Sequence, residues 1–248
     1  MPALYVYGFA PAGGPRLDLS AGVGGATVSA FRSGEIAAIV SPVEAAFVGR
    51  ARDARAHEEV LRSALAQRNS VLPLRFGTVF DGLDDLEARL LAPEQARLES
   101  LLEELVGKVE FQLRGLYHDE EAVLRELVSS DGSLSRLRER ALGSGGYMAQ
   151  VELGEAVVAA FERRRATDAA FLRDRLAPLA LDVSERSELP DRVAAHLAFL
   201  VARKGAASFE SAAEGLAEEL QGKIVLRLTG PLPAYTFVAF ELESAGTG

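Results

Sequence analysis

The apolar and polar positions of the first 80 residues predict four strands and one helix. Residues 4–9 are apolar on both faces, which is typical of a buried central strand. Residues 26–31 and 35–40 are separated by a serine–glycine turn and predict a hairpin. Residues 53–68 predict a helix, because apolar positions recur there at helical spacing. That stripe comprises His57, Val60, Leu61, Ala64 and Leu65. With a last strand at 71–80, the order predicts a small antiparallel-rich sheet backed by one helix.

The strand predicted at residues 71–80 contains three unusual positions. Proline cannot donate a hydrogen bond to a sheet, so Pro73 predicts an edge strand, a strand start or a bulge. Gly77 allows a sharp turn or a close backbone approach. Arg75 interrupts the apolar run and has two interpretations. It is either a structural arginine that bonds to backbone or to a carboxylate, or a contact for a partner.

The middle of the chain predicts helices followed by a half-exposed strand. Residues 83–107 have a helical pattern, in which Pro93 suits the first turn of a second helix. Residues 108–117 alternate between apolar and polar positions, so one face of this strand should be buried. The apolar face comprises Val109, Phe111 and Leu113, and the polar face comprises Lys108, Glu110, Gln112 and Arg114.

From residue 108 onward the predicted order is an elaborated ferredoxin-like α+β pattern. After the first strand come short helices at 119–128 and 134–142 and a long helix that ends at residue 176. Strands at 179–186 and 195–202, a helix at 208–220, and strands at 223–229 and 235–242 follow. The long helix is predicted to bury one stripe, which comprises Tyr147, Val151, Val158, Phe161, Ala169, Leu172 and Leu176.

These patterns predict an α+β protein of two domains. Residues 1–82 form the N-terminal domain, with an antiparallel-rich sheet and one helix. Residues 83–107 form a helical bridge. Residues 108–243 form the elaborated ferredoxin-like C-terminal domain with its long helix, and residues 244–248 are a tail.

Composition and charge narrow the functions that the chain can have. Its 248 residues carry 27 lysines and arginines against 36 aspartates and glutamates, a formal net charge of −9, which argues against nucleic acid as the main partner. Without cysteine there is no disulfide framework, thiolate metal site or cysteine nucleophile. Neither a signal-peptide pattern nor an apolar run of about 20 residues is present. We therefore expect a cytoplasmic protein that binds neither nucleic acid nor a lipid membrane.

No residue pattern predicts a catalytic, cofactor or metal site. His57, His118 and His196 share no metal-ligand spacing, and His57 belongs to an apolar helical stripe, as a packed histidine would. The glycine-rich residues 22–25 precede a predicted strand, whereas a dinucleotide fingerprint needs a helix at that place. These residues therefore predict a plain loop.

An acidic cluster leaves one alternative open. Asp81, Asp84 and Asp85 lack the calcium-loop pattern and suit the N-terminus of the helix that follows, where negative charge is favoured. The same three aspartates could instead form the site of a ferredoxin-like small-molecule-binding protein or enzyme. Such a protein needs a concave site with converging polar groups.

A second unusual segment lies near the C-terminus, at residues 228–238. The pairs Gly230-Pro231 and Leu232-Pro233 stiffen the chain and predict a turn between two strands. Tyr235 and Phe237 should point to one face. The segment is either a structural turn or a rigid apolar projection that grips a partner.

Together the two segments resemble a known family. The first is Leu72-Pro73-Leu74-Arg75-Phe76-Gly77-Thr78, and the second runs from Thr229-Gly230-Pro231 to Tyr235-Thr236-Phe237-Val238. They are similar to two runs of the gas vesicle accessory proteins of the GvpL/GvpF family, and the first matches throughout. The second departs at Leu232, where the family usually has tryptophan, at Ala234, where it has proline, and mildly at Thr236. Further matching patches begin at His57, Gly107, Gly146 and Ala195, in the family's order.

This resemblance implies a non-enzymatic accessory protein of gas vesicle assembly, associated with the gas vesicle. Its implied partners are the small hydrophobic shell protein and other accessory proteins, with no cofactor, and its oligomeric state stays open. We expect the two segments to form or brace the contact surface, because local sequence rules are most clearly broken there. The candidate partner-binding residues are Arg75, Phe76, Pro231, Leu232, Tyr235 and Phe237.

Overall fold

The computed structural model describes residues 3–44, 46–143, 146–187, 189–190 and 192–238. Within these residues the chain divides into two compact units, each with an antiparallel sheet and helices, which confirms the α+β class. Unit 1 comprises residues 3–111, 200–206 and 230–238. Unit 2 comprises the described residues of 112–199 and 207–229.

Unit 1 is built on a five-stranded sheet, as far as the described residues show. Its strands are β1 (Ala3–Pro11), β2 (Ser29–Ser33), β3 (Ile36–Val43), β4 (Leu72–Pro73) and β5 (Val79–Phe80). β1 lies between β3 on one side and the short strands β4 and β5 on the other, all antiparallel to it. Both faces of β1 are buried, which explains its continuous apolar sequence. The predicted central strand and the hairpin of β2 and β3 are confirmed.

A turn divides the strand predicted at residues 71–80 into β4 and β5. Pro73 lies in β4, at the end of the strand order β2-β3-β1-β4, where no further strand needs its missing N–H. The expectation of an edge strand is therefore confirmed. Gly77 has φ of +94° in the turn, a conformation that residues with side chains rarely adopt.

Two helical segments complete the core of unit 1. Helix α1 (Ala51–Gln67) buries its whole predicted stripe. Helix α2 (Leu83–Leu86) continues through a π-helical turn (Glu87–Leu91) into α3 (Ala92–Glu104). The buried leucines of this second segment, Leu86, Leu90, Leu91, Leu98 and Leu102, share one core with Val6 and Phe9 of β1.

Gly8 in β1 allows β4 to approach closely, and its replacement should be costly. A Cβ at position 8 would clash with the backbone carbonyl oxygen of Leu72. We expect Gly8→Ala to lower the free energy of unfolding in urea by about 2 kcal/mol, because the edge strand has to move. Gly13→Ala is the matched control: no atom lies within 4 Å of the added methyl group, and the expected change is below about 0.5 kcal/mol. Equal stabilities of the two variants would contradict this explanation.

Unit 2 has the ferredoxin-like topology that the sequence predicted. Its strands are β6 (Lys108–Tyr117), β7 (Asp182–Glu185), β8 (Val193–Ala202) and β9 (Ile224–Leu232), in the order β7-β8-β6-β9. The ends of three of these strands, at 108–111, 200–202 and 230–232, are grouped with unit 1. Helices α4 (Glu120–Ser130), α5 (Gly132–Leu142) and α6 (Gly146–Leu176) connect β6 to β7. Helix α7 (Ala206–Glu219) connects β8 to β9. The first strand therefore lies between the third and the fourth, as in a ferredoxin-like sheet.

The compact units divide the chain differently from the predicted boundaries at residues 82, 107 and 243. Residues 83–107, expected to be a bridge, pack in the core of unit 1. Residues 200–206 and 230–238 also belong to unit 1, although they come late in the sequence. Independent folding of the expected domains stays a prediction, which limited proteolysis can test. The predicted tail at 244–248 lies outside the described residues.

Four local expectations are wrong. Glu110 is 0% exposed, although the alternation of β6 assigned it to a solvated face. The peptide Gly230–Pro231, which is cis, lies inside β9 rather than in a turn, because β9 continues to Leu232. Residues 235–237 then form a turn instead of starting a strand, and residues 239–242 lie outside the described part. Finally, the long helix buries Phe161, Ala169, Leu172 and Leu176 but leaves Tyr147, Val151 and Val158 exposed.

Candidate functional site

The turn between β4 and β5 presents Arg75 and Phe76 to solvent, and Phe76 is 40% exposed. The backbone N–H and the hydroxyl of Thr78 both donate to the carbonyl oxygen of Arg75, at 3.3 Å and 2.8 Å. The N–H of Gly77 donates to the Tyr5 hydroxyl at 2.9 Å. These bonds close the turn and attach it to the central strand.

An aromatic cluster lies against this turn and positions Phe76. The ring centroid of Phe76 lies 6.2 Å from those of Tyr5 and Phe47 and 5.8 Å from that of His57. The ring of Tyr7 stacks on His57 at 5.5 Å. Aromatic pairs at such distances contribute about 0.5–1.5 kcal/mol beyond the area they bury. The exposed edge of Phe76 therefore belongs to a rigid structure.

His57 is the buried polar centre of the cluster. Its Nδ1 lies 2.9 Å from the Tyr5 hydroxyl. That hydroxyl already accepts the Gly77 N–H, so its own proton is assigned to the bond with Nδ1, and Nε2 carries the imidazole proton. Burial lowers the pKa of His57 to about 4, against a smaller opposing effect of the Leu74 carbonyl. His57 is thus neutral at pH 7 and joins α1 to β1, as a packed histidine would.

The C-terminal segment is held in unit 1 by the buried carboxylate of Glu110. The Thr236 N–H donates to Oε2 of Glu110 at 2.7 Å, and the Thr236 hydroxyl donates to Oε1 at 2.8 Å. Ala234 is buried in the core of unit 1, and Phe237 and Val238 pack against that core. Glu110 is therefore the polar anchor of a segment that is otherwise held by apolar contacts.

The structure brings the two unusual sequence segments together at Tyr5. Tyr5 accepts the Gly77 N–H of the first segment. The pKa of Tyr235, in the second segment, is raised mainly by burial and further by its neighbours Glu58, Tyr5 and Glu110. Of the six candidate residues, Arg75, Phe76 and Pro231 are exposed, and Tyr235 and Phe237 are partly buried. Leu232 is 1% exposed, so its side chain supports the surface from within.

A further apolar surface, which the sequence analysis assigned to the core, lies on α6. Tyr147 is 77% exposed, Met148 74% and Val158 63%. Tyr147, Val151, Gly154 and Val158 follow one another at helical spacing and are all exposed. We call Tyr147, Met148, Val151 and Val158 the apolar face of α6. The signal for it was that Gln150, Glu152 and Glu155 are the only strongly polar residues between 147 and 161, so that more positions are apolar than one buried face needs.

Asp85, one of the three aspartates that could have formed a small-molecule or enzyme site, bonds to residues near it in sequence. Asp84 and Asp85 lie in the first turn of α2, as predicted. Asp85 accepts the Asp81 N–H at 3.1 Å and pairs with Arg89 at 3.2 Å, whereas Asp81 and Asp84 are exposed. Asp85 therefore serves the start of its own helix.

The glycine-rich residues 22–25 and the neighbouring Asp53 have structural roles. Residues 23–25 form a single 3-10 turn before β2, so residues 22–25 are the loop that was predicted. An open hollow of about 540 Å³ beside this turn is lined by Phe47, Arg50 and Asp53 among others. Asp53 accepts the N–H groups of Arg50 and Gly24, at 3.0 Å and 3.3 Å.

Within the described residues, no group of three histidine, aspartate or glutamate side chains could hold a metal ion. None of the described helices is both long and apolar enough to cross a membrane.

Comparisons with known proteins cover nearly the whole chain. Residues 3–239 match the family model described as "Gas vesicle synthesis protein GvpL/GvpF". A relative named gas vesicle protein F, from Streptomyces sp. (strain CB03234), is 37% identical over 94% of this chain and 98% of its own length. Gas vesicle protein F of Haloferax mediterranei is 24% identical over 95% of this chain and 92% of its own length.

Solved structures show the same fold. The crystal structure of gas vesicle protein GvpF from Anabaena sp. PCC7120 has a TM-score of 0.84 at 23% identity. It covers 98% of this chain and all of the other. The molecule described above therefore has the fold of that structure.

Proposed function

Because the chain belongs to the gas vesicle synthesis protein GvpL/GvpF family, which gives it a role in gas vesicle assembly, we propose that it acts there as a non-enzymatic accessory protein. It binds the hydrophobic shell protein and, with it, other accessory proteins. A strongly apolar subunit aggregates unless its surface is covered before assembly. The proposed role is to supply that cover without a catalytic step.

The observation that carries this proposal is the apolar face of α6. Its exposed side chains follow one another along the helix with no polar residue in the stripe. Adjacent apolar side chains exposed together mark an interaction surface more often than isolated ones do. Burial of a valine on binding contributes about 1.5 kcal/mol or more, enough for a tenfold change in affinity.

Retention of the shell protein on the immobilised protein tests this proposal. We expect the double variant Val151→Ser/Val158→Ser to weaken retention at least tenfold, because two valine side chains no longer bury apolar area in the complex. The matched control, Val48→Ser/Val225→Ser, removes two valines that are 81% and 42% exposed elsewhere and should bind as the wild type does. Unchanged circular dichroism shows that each variant is folded.

The surface that the sequence indicated is tested in the same assay. Arg75→Ala and Phe76→Ala each remove an exposed side chain from the β4–β5 turn. If these variants lose retention while Val151→Ser/Val158→Ser keeps it, the contact lies on unit 1 and the assignment to α6 is wrong. A wild-type protein that retains no shell protein overturns the proposed function itself.

A further inference from the structure

Four basic side chains lie in a row across one face of the unit 2 sheet. The Arg186 N–H donates to the His196 carbonyl at 3.0 Å, so these residues are paired across β7 and β8. Burial is the main cause that lowers the pKa of His196, and the charges of Arg186 and Arg114 lower it further. Arg114 on β6 therefore lies close to His196. We call Arg114, Arg186, Arg227 and His196 the arginine row.

The register of β6 and β9 places Arg227 next to Arg114. The His118 N–H donates to the Lys223 carbonyl at 2.9 Å, and the same antiparallel register pairs Arg114 with Arg227 four residues further along. A Cβ at Gly115 would lie 3.6 Å from Leu226, which agrees with this register. Residues directly opposite on neighbouring strands point to the same face, so the two guanidinium groups share it.

The arginines of the row are exposed, and no described residue neutralises them. The three arginines are exposed, and none forms a hydrogen bond through its side chain or an ion pair with another described residue. Like charges placed opposite each other destabilise a sheet. In a chain with a net charge of −9, such a row indicates a surface that an anionic partner neutralises.

The matching anionic surface lies on α7 of the same unit. Glu210, Glu214 and Glu218 recur every four residues, about 6 Å apart along the helix axis. Phe209, Ala213 and Leu216 face the core, and Glu214 and Glu218 are exposed. None of the three glutamates forms an ion pair within the described part of the chain, unlike Glu219, which pairs with Arg175 at 2.8 Å. We call Glu210, Glu214 and Glu218 the acidic stripe of α7.

The two surfaces match in spacing. Neighbouring strands lie about 4.8 Å apart, so Arg114 and Arg227, on the adjacent strands β6 and β9, are separated by nearly the spacing of two carboxylates. Arg186 lies on the far side of β8, about 14 Å from Arg227, whereas the first and last carboxylates of the stripe are about 12 Å apart. A helix laid across the strands can therefore set two carboxylates against Arg227 and Arg114 and bring the third close to Arg186. Ala207, Ser211 and Gly215, also exposed on α7, are small and let the helix come close to the sheet.

The two surfaces lie on opposite sides of unit 2. A Cβ at Gly115 would lie 3.3 Å from Leu172 of α6, so Gly115 faces the helices and the adjacent Arg114 points away from them. The Arg175–Glu219 pair joins α6 to α7, which places α7 on the helical side. One copy therefore cannot bring its own row to its own stripe.

We propose that the arginine row of one copy binds the acidic stripe of α7 in a second copy, so that the protein self-associates head to tail through unit 2. The interface is heterologous, so every assembly has a free arginine row at one end and a free acidic stripe at the other. Because it is built from exposed charges, it weakens as salt rises. This association is independent of the proposed shell-protein contact on α6.

Sedimentation velocity of the full chain, treated with nuclease, tests the proposal at 20 mM and 500 mM NaCl. We expect concentration-dependent association at low salt that is lost at high salt. Arg114→Glu and Glu214→Arg should each raise the apparent dissociation constant at least tenfold. A mixture of these two variants should associate again, because the unchanged row of Glu214→Arg meets the unchanged stripe of Arg114→Glu, and the two reversed surfaces also match each other. Arg138→Glu, which reverses an exposed arginine on α5, is the control and should associate as the wild type does.

Two results would overturn the proposal as a whole, and a third would overturn the pairing of the two surfaces. One is a protein that stays monomeric at low salt up to several hundred micromolar. The other is association that is insensitive to salt and to both charge reversals, which would assign self-association to another surface such as the apolar face of α6. Failure of the mixture to associate, when each single variant is monomeric and folded, counts against the pairing of these two surfaces.

Discussion

Replacing Glu110 with alanine should lower the free energy of unfolding by about 3 kcal/mol, measured by urea denaturation at pH 7. Glu110 is 0% exposed and accepts both the N–H and the hydroxyl of Thr236. Hydrogen bonds to a charged group contribute about 1.5–3 kcal/mol each, and a buried donor left without a partner adds a desolvation cost. The truncation also leaves a cavity in the core. The C-terminal segment should therefore detach first.

Two further variants separate these contributions. Thr236→Val removes only the hydroxyl bond and should cost about 1 kcal/mol, since the backbone N–H still reaches Glu110. Glu104→Ala removes an exposed carboxylate and should change stability by less than about 0.5 kcal/mol. If Glu110→Ala costs no more than Glu104→Ala, Glu110 is not the anchor of the segment.

Acidification from pH 7 to pH 4 should remove about 3 kcal/mol of stability through His57 alone. Burial lowers its pKa in the folded protein to about 4, from 6.5 in an exposed histidine. Below pH 6.5 the His57 imidazole is therefore protonated in the unfolded chain but stays neutral in the folded protein. The contribution of His57 to the free energy of unfolding is complete above pH 6.5 and is lost progressively as the pH falls to 4.

The difference between wild type and His57→Gln isolates this effect from other titrating groups. Glutamine has no proton to gain in this range, so the variant should lose about 3 kcal/mol less than the wild type between pH 7 and pH 4. Parallel stability curves for wild type and His57→Gln would show that the imidazole is not held neutral by burial.

The local order of elements was predictable because it depends on short-range rules. The apolar stripe of α1, the edge position of Pro73 and the turn at Gly77 each follow from one residue's stereochemistry or from a repeat of a few residues. The ferredoxin-like order of unit 2 follows from counting strands and helices. The motifs of both unusual segments also identified the family, which the matches over residues 3–239 confirm.

Burial of particular side chains was not predictable, because it depends on what packs from a distance. The alternation of β6 assigned Glu110 to solvent, but residues 234–238 return more than a hundred positions later and enclose it. The apolar stripe of α6 predicted a buried helix over its full length, yet no described element packs on its exposed stripe between residues 147 and 158. The same pattern of apolar residues thus produced a core contact at Phe161 and a surface at Tyr147.

The sequence by itself determined the α+β class, the order of elements, the edge strand and the family of this protein, because periodicity and turn chemistry act within a few residues. Only the tertiary structure decided which charged and apolar side chains face solvent. Register across β6 and β9 places Arg114 beside Arg227, and packing around His57 lowers its pKa. Both effects arise between residues far apart in sequence, and no local pattern records which of them will meet.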